Sequence, residues 1–397
     1  MAAAPEPAGP AVVAGHICLD IIPDLSRLTG VQFLEVLRPG QLIQAGPAVL
    51  ATGGPVSNTG LALHTLGIPT QLMGKVGADP FGEAVRAMVR AYSEHLAAGM
   101  VVDAEATTSY TVIINPPGVD RIFLHHPGAN DTFCADDVSL ELVAQADLFH
   151  FGYPPLMRRM YSAAGAELAD LFRRVKATGV TTSLDMAFPD PASDAGRADW
   201  PRILRATLPN VDVFMPSVEE ILFMLRRATF AQFQAAGGAL LEHVTAGLLT
   251  DLSAELLALG AKVVGLKLGE RGLYLRTATA DRLRSAGRAL SDATAWADQE
   301  LWAPCFLVNV AGTTGAGDTT IAGFLSALLR GFAPPAAVTA AVAVGACNVE
   351  AADALSGLRS WEATLARVAG GWPRRPLDVN AAGWRWEPEP GLWRGPA

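Results

Sequence analysis

The chain has 397 residues, half of them hydrophobic and 17% charged, with 39 glycines and 27 prolines. That apolar content excludes a disordered chain, and the length allows one large α/β domain with additions or two ordinary ones. A formal net charge of −9 without any long basic run excludes a nucleic-acid-binding footprint; an anionic ligand has to be held by backbone amides, a metal ion or a few placed cations.

Cys18, Cys134, Cys305 and Cys347 are widely spaced and form neither a metal-ligand pair nor a disulfide framework, so a reducing, cytoplasmic setting is expected. Residues 1–10 are rich in Ala and Pro, lack the basic start and apolar core of a leader, and read as a loose tail. The stretch 335–355 is strongly apolar, but Asn348, Glu350 and Asp353 interrupt it; a buried helix is expected and a membrane span is not.

In chain order, strand-like runs at 11–17, 146–151, 180–184, 211–215, 262–267 and 306–310 alternate with helical patterns at 56–66, 80–95, 164–176, 218–227, 231–249, 318–329 and 336–352. The alternation predicts a doubly wound, mostly parallel sheet with helices on both faces. Two segments, 31–51 and 107–126, break this rhythm. With turns at Pro39-Gly40 and Pro117-Gly118 they are expected to form antiparallel ribbons of a small β lid, whose open edge offers a site for a homodimer. Residues 277–301 have weak periodicity and read as an insertion. Beyond residue 357 come a short helix and a Pro-rich segment carrying Trp361, Trp372, Trp384, Trp386 and Trp393, rings that need a surface to cover. The expected division is a tail at 1–10, a domain at 11–357 and an extension at 358–397.

The segment with the most chemical content is Gly312-Thr313-Thr314-Gly315-Ala316-Gly317-Asp318, which leads directly into a helical pattern. Small residues let backbone amides converge on one point, and a helix N-terminus adds partial positive charge there. Asp318 at the helix start has two readings: a cap of the helix, or a base that takes a proton from an attacking hydroxyl while the amides of Ala316 and Gly317 hold a phosphoryl group. No Gly-x-x-x-x-Gly-Lys-Ser/Thr pattern is present, so the cradle is not of the Walker type.

Gly312 to Asp318, followed by Thr319, Ile321 and Gly323, resembles the C-terminal signature of the ribokinase-like (PfkB) carbohydrate kinases. A second segment, some 250 residues upstream, matches the same family: Gly53-Gly54-Pro55-Val56-Ser57-Asn58, then Gly74-Lys75-Val76-Gly77-Ala78-Asp79-Pro80-Phe81-Gly82. The resemblance implies a ribokinase-like fold and ATP- and Mg²⁺-dependent phosphorylation of a hydroxyl of a small sugar, sugar acid or nucleoside, with Asp318 as base and Gly315, Ala316 and Gly317 as anion hole. It implies substrate contacts from Asp20, which ends Gly15-His16-Ile17-Cys18-Leu19-Asp20, from the Gly53-Gly54 hinge, from Asn58, and from Asn130 in Pro127-Gly128-Ala129-Asn130. The adjacent His125 and His126 point to opposite faces of a strand and cannot readily share one metal.

On the nucleotide side the resemblance points to Lys267, Gly269 and Gly272 of Lys267-Leu268-Gly269-Glu270-Arg271-Gly272, to Thr313, and to Asn348 in Gly345-Ala346-Cys347-Asn348. Glu220 of Pro216-Ser217-Val218-Glu219-Glu220 falls at the acidic position linked to magnesium. Two departures stand out. Ser217 replaces the family's Asn, and Gly312 replaces the first Asp of the signature, a carboxylate that helps hold a monovalent cation. Activity insensitive to potassium is therefore expected.

Two rivals are weighed against the kinase. An idle regulator of the same fold fits Gly312 and Ser217 but not the retained Asp318. A dinucleotide oxidoreductase lacks Gly-x-Gly-x-x-Gly after the first strand, where Gly15 stands alone.

Overall fold

The computed structural model describes residues 9–28, 32, 35, 38–117 and 122–396. Expectations for residues 1–8, for parts of the lid at 29–37, and for Gly118 and the turn through 121 lie outside the described residues. In chain order the strands are β1 (Ala11–Gly15), β2 (Cys18–Pro23), β3 (Ala48–Gly53), β4 (Thr70–Met73), β5 (Lys75–Gly77), β6 (Val101–Asp103), β7 (Tyr110–Ile114) and β8 (Ile122–His126). There follow β9 (Leu148–Gly152), β10 (Thr181–Leu184), β11 (Val213–Phe214), β12 (Val263–Lys267), β13 (Leu273–Thr277), β14 (Glu300–Ala303), β15 (Arg385–Glu387) and β16 (Leu392–Arg394). The helices that cover the sheet or reach the site are α1 (Pro55–Thr65), α2 (Pro80–Tyr92), α3 (Ala166–Lys176), α4 (Val218–Leu225), α5 (Ala246–Leu259), α6 (Ala316–Leu329), α7 (Pro334–Asn348) and α8 (Trp361–Ala369).

Among the described residues the main sheet has the order β15-β16-β14-β13-β12-β11-β10-β9-β1-β4. From β4 to β12 all neighbours are parallel; β13, β14, β16 and β15 continue that edge antiparallel. Alternating side chains feed two cores. Val13 and Val263 enter one, beside Leu61 of α1, Phe324 of α6 and Val342 of α7. Val12, Ala14 and Val264 enter the other, beside Phe172 of α3, Ile221 of α4 and Leu252 of α5. Each fully buried side chain of this kind contributes about 1.5–3 kcal/mol relative to exposure, so helices on both faces are held by the strands' own pattern.

The lid is a four-stranded sheet ordered β3-β2-β7-β8. The first strand, expected over 11–17, stops at Gly15, and the motif that ends at Asp20 runs on into lid strand β2. The chain leaves the core sheet at His16–Ile17, because the Asn130 side chain clasps the Ile17 backbone, accepting from its N–H at 3.2 Å and donating to its C=O at 2.9 Å. Residues 38–47 are not strand, so β3 covers only the end of the expected ribbon.

Two further expectations are corrected. Residues 306–310 form no strand: Phe306 makes one isolated bridge, to Arg374, and the edge beside β14 is taken by β16 from the extension. The helix expected at 231–249 is two, Arg227–Ala236 and α5, parted at Gly237 and Gly238, both at positive φ. Residues 277–301 lie between β13 and β14, as an insertion would, and hold the short helices Ala280–Leu283 and Ala293–Trp296. The apolar stretch near 335–355 is α7, buried on all sides from Ala337 to Asn348. No helix among the described residues is long and apolar enough to cross a membrane.

Candidate active site

Parallel strands present their C-terminal ends along one sheet edge, where open α/β sheets collect functional groups. Here Tyr153 follows β9, Asp185 follows β10, Ser217 and Glu220 follow β11 within the first turn of α4, and Lys267 closes β12. The first turns of α1 and α6 meet beside them, where Asn58 and Tyr153 both bond Asp318, and α6 has Gly315 as its N-cap in the left-handed region.

Asp318 is 2% exposed and surrounded by donors. Its Oδ2 accepts from Asn58 Nδ2 and from the Tyr153 hydroxyl, each at 2.9 Å, and its Oδ1 from Thr59 Oγ1 at 3.3 Å. Burial pushes its carboxyl above the usual range, while Asn58, Lys267, Tyr153 and Thr59 pull it back. Tyr153 sits at φ 65°, ψ 42°, an uncommon conformation for a residue with a side chain, and the ring thereby reaches Asp318. Two prolines follow it.

On one side of Asp318 lies a cavity of about 730 Å³ under the lid, within the range of small-molecule sites. Asp20, Asn58, Gly54, His16, His125 and Gly315 line it with Asp318. Burial pushes the Asp20 carboxyl up to about 6, opposed by the Cys18 thiol and the Thr111 hydroxyl. Gly53 itself does not line the cavity, but a Cβ there would lie 2.4 Å from Asp20 Oδ2, and one on Gly54 would lie 2.6 Å from His16 Nδ1. The glycine pair therefore makes room for the two side chains that β1 and β2 deliver. His16 is buried with both ring nitrogens unpartnered, and Asn58 Oδ1 is likewise unpartnered.

On the other side lies a mainly apolar cavity of about 310 Å³, lined by Lys267, Gly269, Gly272, Thr313, Ala316 and Gly317 and walled by Val342, Gly345, Ala346 and Val349. A wider, open hollow joins the two and holds Tyr153, Asp185, Glu220, Lys267, Thr313 and Gly317. Lys267 Nζ donates to Asp185 Oδ1 at 2.5 Å. Burial opposes the charge on Lys267, but Asp185, Glu220 and Asp318 outweigh it and hold its pKa above the usual lysine value; burial likewise pushes Asp185 up, against the pull of Lys267.

The Ser217 that replaces Asn keeps the local geometry. Its Oγ accepts from Glu220 N at 3.2 Å and its N–H donates to Glu220 Oε2 at 2.7 Å, a reciprocal cap of α4. No cluster of three or more metal-ligating side chains exists among the described residues. Magnesium, however, takes one or two carboxylates and completes its shell with water and phosphate oxygens. Asp185, whose Oδ2 is buried and unpartnered, and Glu220, with Oε2 used in the cap, fit that requirement.

Two candidates are corrected. Asn130 is fully buried and its amide is taken up by Ile17, so it shapes the β1–β2 corner and does not face the cavity. Asn348 is fully buried too; its Nδ2 donates to Thr314 O at 2.9 Å, steadying the cradle loop from behind, while its helix neighbours Gly345 and Ala346 line the cavity. Tyr153, Asp185, His16 and Thr59 were not singled out from the sequence. Asp185 and Tyr153 carry one legible signal, since each stands just past the end of a predicted parallel strand.

Gly312 has a steric reason. A Cβ there would lie 2.7 Å from Ala352 O and 2.9 Å from Ala352 Cα, and both are backbone atoms. No carboxylate-bearing side chain fits this backbone.

The model of the pfkB family carbohydrate kinases matches residues 11–361. A protein of *Archaeoglobus fulgidus* described as an uncharacterized sugar kinase is 24% identical over 271 residues, 68% of this chain and 87% of its own. Fructokinase-2 of Oryza sativa subsp. japonica is 26% identical over 329 residues, 82% of this chain and 81% of its own. Among solved structures, *Arabidopsis thaliana* ribokinase complexed with ribose and ATP superposes with a TM-score of 0.66 at 20% identity, over 90% of this chain and 98% of that one. *Xylella fastidiosa* fructokinase with bound ATP gives a TM-score of 0.66 at 19% identity, over 91% and 98%. These structures share the ribokinase-like fold, and the family match covers the lining of the larger cavity, the turn at the start of α6 and all of the apolar cavity's lining but Arg375: the chain belongs to the pfkB family and is a carbohydrate kinase.

Proposed function

We propose that the chain transfers the γ-phosphoryl group of ATP to a hydroxyl of an uncharged sugar-like substrate, with Asp318 as general base. One observation carries this reading. Within a single turn at the start of α6, Gly315 and Asp318 line the larger cavity under the lid while Ala316 and Gly317 line the apolar one. A base thus faces an acceptor site and amides face a donor site, the juxtaposition that in-line transfer requires.

In the acceptor cavity, Asp20 and Asn58 Oδ1 accept sugar hydroxyls and Asp318 takes the proton of the attacking one. The amides of Ala316 and Gly317 receive the charge of the transferring group, a kind of contribution worth roughly 10²- to 10³-fold per donor, and Lys267 adds a buried cation beside it. The apolar slot takes the nucleotide base. Asp185 and Glu220 would hold a magnesium ion, which supplies charge neutralisation of the donor phosphates. Asp20, Asp131, Asp190 and Asp318 line the acceptor cavity, and no Lys or Arg does among the described residues, which supports a neutral sugar or nucleoside over a sugar acid. Val49, Leu50 and Leu124 are exposed on the lid, which leaves apolar surface there for a second copy of the chain. Four free thiols suit a cytoplasmic setting.

The test is ADP release from ATP, screened over pentoses, hexoses and nucleosides. A neutral polyol is expected to accelerate it, equally in potassium and in an organic-cation salt at fixed ionic strength, because Gly312 leaves no carboxylate for a monovalent site. No acceleration by any hydroxyl compound would overturn the assignment; a strong potassium requirement would overturn the role given to Gly312.

Tyr153 makes a separate prediction. Its hydroxyl donates to Asp318, and a hydrogen bond to the charged form of an acid lowers its pKa. Tyr153→Phe is therefore expected to move the acid limb of kcat/KM to higher pH, with most of the lost activity recovered at alkaline pH. A limb that stays in place would show that Tyr153 only fills space.

A further inference from the structure

The family match ends at residue 361, yet one wall of the apolar cavity depends on residues beyond it. Cys305 and Phe306 line that cavity, in the segment that forms no strand of its own. The extension holds this strap from behind. Arg375 N donates to Cys305 O at 2.7 Å and Leu307 N donates to Pro373 O at 2.8 Å. The Phe306 and Trp372 rings stack with centroids 4.4 Å apart. Arg374 donates to Pro304 O at 2.8 Å and to Thr339 Oγ1 of α7 at 2.9 Å, its guanidinium 4.3 Å above the Phe306 ring. The Arg375 side chain lines the cavity and donates to Glu270 on the turn after β12 at 2.7 Å.

We propose that the C-terminal extension is part of the nucleotide site: Trp372 and Arg374 set the position of the Phe306 wall, and Arg375 contacts the bound nucleotide at the cavity border. The chemistry fits a planar group bearing hydrogen-bond acceptors. A guanidinium offers donors only and stacks on flat rings, and the wall it adjoins is apolar. An exposed ion pair such as Arg375–Glu270 is worth little by itself, so Arg375 is free to exchange Glu270 for a nucleotide acceptor at small cost. The strap, in contrast, has no sheet partner among the described residues besides the extension and follows wherever Trp372 and Arg374 hold it.

The inference rests on the apolar cavity being the donor site, and the experiment separates the two. ADP is titrated calorimetrically into the unaltered chain and into its Arg375→Ala and Trp372→Ala variants, with the thermal shift produced by the sugar as control. Arg375→Ala and Trp372→Ala are each expected to weaken ADP binding about tenfold, with the sugar-induced shift retained. Native-like ADP binding by folded Arg375→Ala and Trp372→Ala would overturn the proposal and leave the donor site standing. Absence of ADP binding to the unaltered chain would overturn both. If Trp372→Ala does not fold, Arg375→Ala decides alone, since its side chain is 42% exposed and its loss leaves the strap's backbone bonds in place.

Discussion

Asp318→Asn is expected to lower kcat by roughly 10²- to 10⁴-fold, the range for loss of a positioned general base, while ADP binding and the fold persist. The amide has the size of the carboxylate and can keep contacts with Asn58, Tyr153 and Thr59, but it cannot accept the substrate's proton. Thermal stability near neutral pH is expected not to fall. Burial raises the Asp318 pKa, so the fold disfavours the charged form, and a neutral replacement removes that cost. The combination of lost turnover and retained stability separates a catalytic carboxylate from a helix cap, whose loss would cost about 0.5–2 kcal/mol with little effect on rate. Full turnover in Asp318→Asn would remove the base assignment. Sugar-dependent ADP release and thermal unfolding, run on one preparation, provide both readouts.

Asp20→Asn is expected to reduce kcat/KM for the sugar by about 10²-fold, because a hydrogen bond to a charged acceptor contributes about 1.5–3 kcal/mol and the amide leaves one weaker acceptor. The pH dependence identifies the cause. Burial places the Asp20 pKa at about 6, and the ionised form is the one that accepts sugar hydroxyls. As pH rises through that value the carboxylate fills, so the native KM for the sugar should fall between pH 5 and pH 7, whereas the KM of Asp20→Asn should stay flat. A native KM that rises over that interval would contradict the placement of Asp20 at the sugar.

Much of this site is legible in the sequence because its parts are local. Gly315 to Asp318 is a run of small residues at a helix start, and local chain chemistry is enough to aim amides there. Gly53 and Gly54 were legible as positions without side chains, but the reason was not: the need to admit Asp20 and His16 appears only when β2 is laid beside β3. Asn130 and Asn348 show the opposite failure. Each stands where motif order places a ligand contact, yet each turns its amide into the protein, because a buried backbone group nearby required a partner.

The sequence by itself determined the alternation of apolar strands and helices, hence the layered α/β class, and the glycine-rich turn that opens α6. Both follow from periodicity and backbone sterics over a few residues. Only the tertiary structure decided that Tyr153 and Asp185 share the edge with Lys267, that β2 belongs to the lid, and that the strap at 305–307 is walled by the extension and not by a strand. Those outcomes depend on which buried polar groups and which sheet edge find partners far away in the chain, and no local pattern encodes that choice.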